Sequence, residues 1–217
     1  MPLIDALETQ RAVRRLTADP VDDKIVLELL RLATKAPSGS NAQSWEFLIV
    51  RDPEVKHQLA RLNRQAWSVY RRFAKSRARG DLKMARTIAA VQWQADHFEE
   101  APVIVVACLR GRPMPSPTGR AAFYGSIFPA VQNLLLAARA IGLGATLSTF
   151  PIWSRGLARR TLKLPSNVTP CAVIPLGWPQ RGGYGPTTRR PVEEVIHLDR
   201  YGNRPFAAEG HETLGGT

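Results

Sequence analysis

The run VIVVACL, residues 103–109, constrains the fold of this chain more than any other feature of its sequence. All seven residues are apolar, several are β-branched, and Pro102 precedes them, which is typical of a strand buried in a sheet. The longest apolar run, APVIVVACL, has only nine residues, whereas a membrane helix needs roughly 20. We therefore expect residues 103–109 to form a core strand of a globular protein.

The segments around this run predict a mixed α+β fold. A short helix is predicted before Arg11. Apolar residues at helical spacing predict further helices at residues 22–36, from residue 53 onward, at residues 84–98 and at residues 153–163. Another helix is predicted from Ser126, with Gly142 and Gly144 at its end. Strands are predicted at 46–50, 145–149 and 171–178, with an edge strand at 187–202 and a loop at 111–120. Helices outnumber strands and do not alternate strictly with them, which indicates an α+β fold. No linker divides the chain, so a single domain is expected over residues 1–217, with 203–217 as a flexible tail.

The net charge of +12 and the pI of about 10.6 leave two interpretations open. Residues 61–86 contain nine Lys or Arg and a single acid, Asp81. Three aromatic residues are interleaved with these cations, Trp67, Tyr70 and Phe73. Some nucleic-acid-binding proteins show this arrangement. A solvated helix that turns its aromatic side chains inward has the same pattern. This basic stretch alone therefore does not decide between a nucleic-acid-binding surface and an ordinary solvated helix.

The chain lacks the motifs of several catalytic classes. It has no CxxC or HExxH motif, so no metal site is expected, and Asp96 and Glu100 have no second acidic helix with which to form a two-metal centre. The segment GLGAT, residues 142–146, follows a helix and precedes a strand, the reverse of a dinucleotide-binding loop. None of the four histidines has a GxSxG partner motif. Such a protein is expected to take its chemistry from a cofactor.

Two features favour a cytoplasmic location. Cys108 and Cys171 both lie in apolar runs, so we expect two buried free thiols rather than a disulfide or a metal site. The N-terminal segment MPLIDALETQRAVRR carries acids early and lacks the apolar core of a secretion signal.

Three segments suit a planar cofactor that carries a phosphate. They are RAVR at residues 11–14, the uncharged loop APSGSNAQSW at 36–45, and TTRRPVEEV, which contains Arg189 and Arg190. Because the arginine fork matches phosphate oxygens, arginines from both ends of the chain are suited to bind one phosphate. The small, neutral residues of the loop would then line the polar edge of a flat heterocycle.

In order and spacing these segments resemble the nitroreductase family of flavin enzymes. The resemblance rests on QRAVRRLTADPV, LLRLATKAPSGSNAQSWEFLIVRDPE, FPAVQNLLLAARAIGLGATLSTF, VIPLGWPQ and TTRRPVEEVI, and it is weakest over residues 55–100 and the last fifteen. It implies a three-layer sandwich in which helices flank a mostly antiparallel sheet. It also implies an intertwined homodimer with two FMN sites, each built from both subunits.

The resemblance assigns residues to the FMN site. Arg11 and Arg189 would contact the phosphate, and Arg14 the pyrimidine edge. Ser38 and Gly39 of the partner subunit would line the ring, while Asn41 and Gln43 would touch FMN or fix the loop. The backbone of Leu147, Ser148 and Thr149 would lie along the ring near its N5 atom. Gln10 and Ala12 of the FMN-binding segment stand where the family often has Arg and Ser, so one phosphate cation and one hydroxyl contact are lost.

The implied activity is that of an FMN-dependent oxidoreductase. NADH or NADPH would reduce the flavin and leave, and an electron-poor acceptor such as a nitroaromatic or a quinone would then bind on the same face. FMN carries this chemistry, so no side chain is assigned as catalytic, and Arg14 only tunes the flavin. The alternatives are a flavin enzyme specialised for dehalogenation or flavin breakdown, and a basic nucleic-acid-binding protein. Despite the net charge of +12, neither a nucleic acid nor a membrane is the expected partner.

Overall fold

The computed structural model describes residues 1–77, 80–180 and 184–208, without the side chains of Lys75 and Arg77. The chain divides into two compact units, Met1–Gly185 and Pro186–Thr217. Most of the predicted flexible tail, residues 209–217, lies outside the described residues. The single domain and the flexible tail therefore stay predictions.

The first unit contains seven α-helices and four strands among its described residues. The helices are α1 Leu3–Thr9, α2 Asp23–Ala33, α3 Pro53–Arg77, α4 Leu82–Asp96, α5 Pro117–Gly125, α6 Ile127–Ala140 and α7 Arg155–Thr161. The strands are β1 Trp45–Val50, β2 Val103–Arg110, β3 Gly144–Ala145 and β4 Val168–Gly177. Short 3₁₀ turns include Gly39–Asn41, Phe98–Glu100 and Phe150–Ile152.

Polar side chains fix where several helices begin. The carboxylate of Asp22 accepts a hydrogen bond from the Lys24 amide at 2.7 Å, and that of Asp52 accepts from the Val55 amide at 2.9 Å. These contacts satisfy amides that have no partner inside the helix. The predicted starts of α2 and α3 are therefore confirmed, although α2 ends at Ala33, three residues before the predicted Ala36.

The core strand predicted at residues 103–109 is β2, and it lies inside the sheet. All strand pairs are antiparallel, and the strand order is β1-β2-β4-β3. Ile104 of β2 lies opposite Val50 of β1 and Pro175 of β4. Every residue of β2 except Arg110 is buried, as expected for a strand with neighbours on both edges and cover on both faces.

Helices cover both faces of the sheet. On one face Val103 and Val105 pack in a cluster with α2 and α6. On the other face Ile104 and Val106 pack in a cluster with α3 and α7. This alternation follows from the two-residue period of a strand. The three-layer α+β sandwich with an antiparallel sheet is thus confirmed.

Three local predictions are wrong. The predicted loop at 111–120 contains the start of α5, because Ser116 caps it, accepting from the Gly119 amide at 3.0 Å, and Pro117 fits its first turn. The strand predicted at 145–149 pairs as a ladder only at Gly144–Ala145, with a single further bridge at Ser148. The edge strand predicted at 187–202 does not form among the described residues, where Val192–Glu194 is a 3₁₀ turn.

The described residues contain one stretch, Pro117–Ala140, that is long and apolar enough to cross a membrane. It comprises α5 and α6, and the apolar side of α6 is buried against the sheet at the predicted positions Ile127, Val131, Leu134, Leu135 and Ala138. The stretch therefore contains the central core helix of this fold.

Both cysteines are free and buried, as predicted. Burial raises the pKa of the Cys108 thiol to about 12 and that of Cys171 to about 11. Neither thiol is therefore a nucleophile near neutral pH.

Gly144 was predicted to end α6 together with Gly142, but it has a different role. Gly142 terminates α6 with a φ of +86°, which only glycine adopts readily. A Cβ on Gly144 would instead lie 2.7 Å from Val13 Cγ1 and 2.8 Å from Leu16 Cδ2. The absence of a side chain therefore lets residues 13–16 pack directly on β3.

We expect Gly144→Ala to lower the free energy of unfolding by about 1–3 kcal/mol, the usual cost of overpacking. The matched control is Gly156→Ala in α7, where a Cβ meets no atom within 4 Å and should raise stability by up to about 1 kcal/mol. Urea denaturation of the two variants measures both effects. Equal stability of the two variants would contradict the close packing inferred for Gly144.

Candidate active site

Backbone hydrogen bonds hold the N-terminal arginine segment, residues 11–15, against β3. The Val13 amide donates to the Ala145 carbonyl at 3.0 Å, and the buried Thr146 hydroxyl donates to the Val13 carbonyl at 2.7 Å. On the other side the Gln180 amide donates to the Arg15 carbonyl at 3.0 Å. The position of the arginine segment is thus set by these hydrogen bonds together with the packing of the Val13 side chain on Gly144.

Two cavities meet at Arg14. The arginine cavity, of about 540 Å³, is lined by Arg11, Ala12, Val13, Arg14, Arg15, Ala90 and Gln180. The aromatic cavity, of about 390 Å³, is lined by Arg14, Asn63, Trp67, Tyr70, Ala74, Met84, Thr87, Ile88, Val91, Gln94 and residues 146–150. Arg14 belongs to both linings, so a ligand that fills both cavities must pass its guanidinium.

Arg14 is a partly buried cation without a carboxylate partner in the described part of the chain. Burial first, and then the charge of Arg11, lower the pKa of Arg14. An arginine stays protonated even so. The segment therefore presents two neighbouring positive charges, and their mutual repulsion is relieved when an anion binds.

Gln94 contributes an unsatisfied hydrogen-bond donor to the aromatic cavity. It lies on α4, is only 7% exposed, and its Nε2 has no hydrogen-bond partner among the described groups. A buried unpaired donor costs about 1–3 kcal/mol, so such groups usually have a ligand or a water as partner. Gln94 Nε2 is itself buried, so a rotation of this side chain that exposes the amide would let it donate to a ligand in the cavity.

These features fit FMN. Its phosphate suits the arginine cavity, since two arginines offer charge-assisted hydrogen bonds. Its flat ring suits the aromatic cavity, and the carbonyl oxygens of its pyrimidine edge suit the donors of Arg14 and Gln94. The described residues contain no group of three or more His, Cys, Asp or Glu that could hold a metal ion.

Three rings form an aromatic cage on the wall of the same cavity. The ring centroids of Trp67, Tyr70 and Phe150 lie 5.5–6.0 Å apart. Gln92 of α4 accepts from Trp67 Nε1 at 2.8 Å and so ties this cage to the second helix of the cover formed by α3 and α4. The aromatic stripe is only partly turned inward, because Trp67 is 3% exposed but Phe73 is 65% exposed.

The basic stretch 61–86 lies on this cover. Arg71 donates to Gln92 Oε1 at 3.0 Å, and Arg64 lies 3.6 Å from Glu99. The side chains of Lys75 and Arg77, and Arg79 as a whole, lie outside the described residues.

The uncharged loop has a constrained backbone. Ser40, Asn41 and Gln43 all have φ near +50°, a region that non-glycine residues adopt rarely. Ser126 holds the loop, since its Oγ accepts from the Gly39 amide at 3.0 Å and its carbonyl accepts from Trp45 Nε1 at 2.7 Å. Such strain persists where the surrounding structure enforces it, often at functional sites.

Hydrogen bonds inside the loop use several of the predicted site residues. Ser38 Oγ accepts from the Gln43 amide at 3.0 Å, and Gln43 Nε2 donates to Asn41 Oδ1 at 3.1 Å. Asn41 and Gln43 therefore stabilise the loop in this chain. Gly39, Asn41 and Gln43 are nevertheless exposed.

The structure brings together only part of the predicted site in one chain. Arg11, Ala12 and Arg14 share the arginine cavity, and Arg14 shares the aromatic cavity with Leu147, Ser148 and Thr149. Ser148 exchanges two backbone hydrogen bonds of 2.8 Å with Val173, which makes this wall rigid. None of Ser38, Gly39, Asn41 and Gln43 lines either cavity in the described chain. Arg189 belongs to the second unit, where it donates to the Thr188 carbonyl at 3.0 Å.

Several residues around the site had no assigned role in the sequence. Gln94 and Phe150 carried no local signal, and Trp67 and Tyr70 were visible only as members of an aromatic stripe. Ser126 was seen only as a helix start. These residues are brought together only by the folded chain, so no short sequence motif identifies them.

Comparisons with known proteins identify the family of this chain. The model of the nitroreductase family matches residues 7–178. The iodotyrosine deiodinase of Thermotoga neapolitana is 30% identical over 196 residues, which cover 89% of this chain and 95% of that protein.

Two solved structures share the fold. A protein from Desulfovibrio desulfuricans, assigned as a nitroreductase and solved in complex with FMN, is 26% identical, with a TM-score of 0.65 over 93% of this chain and 98% of that one. An iodotyrosine deiodinase bound to FMN and 3-iodo-L-tyrosine is 24% identical, with a TM-score of 0.69 over 92% and 98% of the two chains. The match of a family model to most of the chain, together with a relative at 30% identity, establishes that this protein belongs to the nitroreductase family.

Proposed function

We propose that this protein is an FMN-dependent oxidoreductase that takes electrons from NADH or NADPH and passes them to electron-poor acceptors such as nitroaromatics or quinones. The observation that carries the proposal is the position of Arg14, a partly buried cation between the arginine cavity and the aromatic cavity. When bound, FMN supplies the hydride chemistry. The protein supplies position and charge.

The residues of this chain have distinct parts in holding the cofactor. Arg11 would bind the phosphate, as would Arg189 by the family resemblance. Arg14 would bind the pyrimidine edge with Gln94 beside it. The rigid wall of Leu147, Ser148 and Thr149 would orient the ring. The cover of α3 and α4 would limit access of water to the reacting face, which would strengthen electrostatic interactions inside the site.

We further propose that the protein is an intertwined homodimer in which the loop at residues 36–45 lines the ring bound by the partner. The loop has a strained backbone and an exposed tip, and none of its predicted site residues lines a cavity of its own chain. The C-terminal unit also exposes apolar side chains, with Val192 60% and Tyr201 91% exposed. Exposed apolar side chains of this kind are typical of a surface that a partner covers.

Reductive dehalogenation is the second candidate, because the relative from Thermotoga neapolitana is named an iodotyrosine deiodinase. It needs the same flavin site and differs only in the acceptor. Both candidates are consistent with a cytoplasmic protein.

The first test is the absorption spectrum of the purified protein with its oligomeric state. We expect a yellow dimer that releases FMN on denaturation and bleaches when NADPH or NADH is added anaerobically. In Arg11→Ala and in Arg189→Ala, loss of a charge-assisted phosphate contact worth about 1.5–3 kcal/mol should weaken FMN binding about 10- to 150-fold. The control Arg31→Ala, which removes only an exposed pair with Glu28, should bind FMN normally. A colourless monomer that cannot be reconstituted would refute the proposal.

The second test concerns the redox potential. The reduced flavin carries negative charge at its pyrimidine edge, so a fixed cation there stabilises the reduced form selectively. Arg14→Ala should remove about 1.5–3 kcal/mol of this stabilisation and lower the midpoint by about 30–65 mV. Arg14→Lys keeps the charge and should lower the midpoint less. A midpoint of Arg14→Ala within error of the wild type would show that Arg14 does not contact the flavin edge.

A further inference from the structure

No carboxylate lines the aromatic cavity among its described residues, and Arg14, which we propose to bind the flavin edge, is the one charged residue in that lining. The charge available to an acceptor therefore comes from the basic stretch 61–86, which has nine Lys or Arg and one acid, Asp81. None of the cations of this stretch that the structure describes lines the cavity, so their effect on a ligand is a longer-range attraction of negative charge. The side chains of Lys75, Arg77 and Arg79 are not described.

The carboxylates nearest to the cavity in sequence are already engaged. Asp81 accepts from the Met84 amide at 2.9 Å and caps α4. Asp96 accepts two hydrogen bonds from Gln92 Nε2, at 2.9 and 3.0 Å. The loop at 36–45, which we propose to come from the partner, has no charged residue. Asp81 and Asp96 keep their negative charge in these contacts, but neither of them lines the aromatic cavity, where a ligand cation would lie.

The same cavity is well suited to an aromatic ring. The planes of the three rings of the aromatic cage are tilted by 35–50° to one another, so they offer both faces and edges to a flat ligand. Tyr70 and Leu147 are 49% and 38% exposed in the free chain, which leaves apolar surface for a ligand to cover.

We propose that the acceptor of this protein is an aromatic acid, that is, a planar ring carrying an anionic group and no cation. The inference rests on the proposed function and names its substrate class. The cover attracts the anion, and the cage binds the ring. An amino-acid zwitterion such as 3-iodo-L-tyrosine, which a structural relative binds, would instead bring its ammonium group close to cations without a carboxylate to pair with, which is strongly unfavourable.

Three ligands that share one ring test this inference on the oxidised holoprotein. They are 3-iodo-L-tyrosine, 3-(4-hydroxy-3-iodophenyl)propanoate, which lacks only the ammonium group, and neutral 2-iodophenol. Flavin absorbance and tryptophan fluorescence follow the titrations, with Trp67→Phe identifying the signal of the cage. We expect the propanoate to bind at least about 10-fold more tightly than iodotyrosine, and added salt to weaken its binding more than that of iodophenol. Iodotyrosine binding as tightly as the propanoate would overturn the inference.

The second part of the test introduces a negative charge into the lining of the aromatic cavity. Thr87 lies on α4 in the wall of the cavity and is exposed, so Thr87→Glu should fold and place a carboxylate there. We expect it to weaken propanoate binding and strengthen iodotyrosine binding, while Thr87→Gln changes neither by more than about 2-fold. Unchanged preferences in Thr87→Glu would overturn the inference. FMN content is measured before any ligand is added, so a failure to bind FMN refutes the proposed function separately.

Discussion

The packing of the N-terminal arginine segment on β3 is the contact on which the rest of the site depends. Gly144 leaves room for Val13 and Leu16, and the Val13 backbone is bonded to Ala145 and Thr146. This contact places Arg11 and Arg14 beside the wall that begins at Thr146, although more than a hundred residues separate them in sequence. The cation and the wall of the cavity are thus positioned by one rigid element.

The two helices of the cover, α3 and α4, line the aromatic cavity and so limit which ligands fit it. Gln92 joins α3 to α4 through Trp67 and Arg71. In the proposed function, the arginine segment and the wall of residues 147–149 would hold the cofactor, whereas the cover would supply the shape and charge that distinguish one acceptor from another. A flavin enzyme can change its acceptor in this way without changing its electron donor site.

Local signals in the sequence predicted most of the fold. Caps such as Asp22, the end of α6 at Gly142 and the apolar run of β2 each act over a few residues, and each was confirmed. The errors arose where a local signal had two meanings, as at Ser116–Pro117, which begins a helix rather than continuing a loop. The role of Gly144 and the unpaired amide of Gln94 depend on distant neighbours. No short stretch of sequence encodes such contacts.

The central claim is that each FMN site combines the arginine segment of one chain with the loop of the other. Mixed dimers of Arg11→Ala and Gly39→Trp chains, isolated with two affinity tags, test it most directly. A Cβ at the exposed Gly39 would lie 3.5 Å from Ala122 Cβ, which is ordinary contact for the first atom of a side chain. Circular dichroism and size-exclusion chromatography of the Gly39→Trp homodimer check that the whole tryptophan leaves the fold and the dimer intact. Each variant homodimer should bind FMN about 10-fold or more weakly than the wild type, whereas the mixed dimer should bind one FMN per dimer at wild-type affinity, because one of its two sites combines two intact elements. A mixed dimer without a site of wild-type affinity would show that both elements belong to the same chain and would contradict the account.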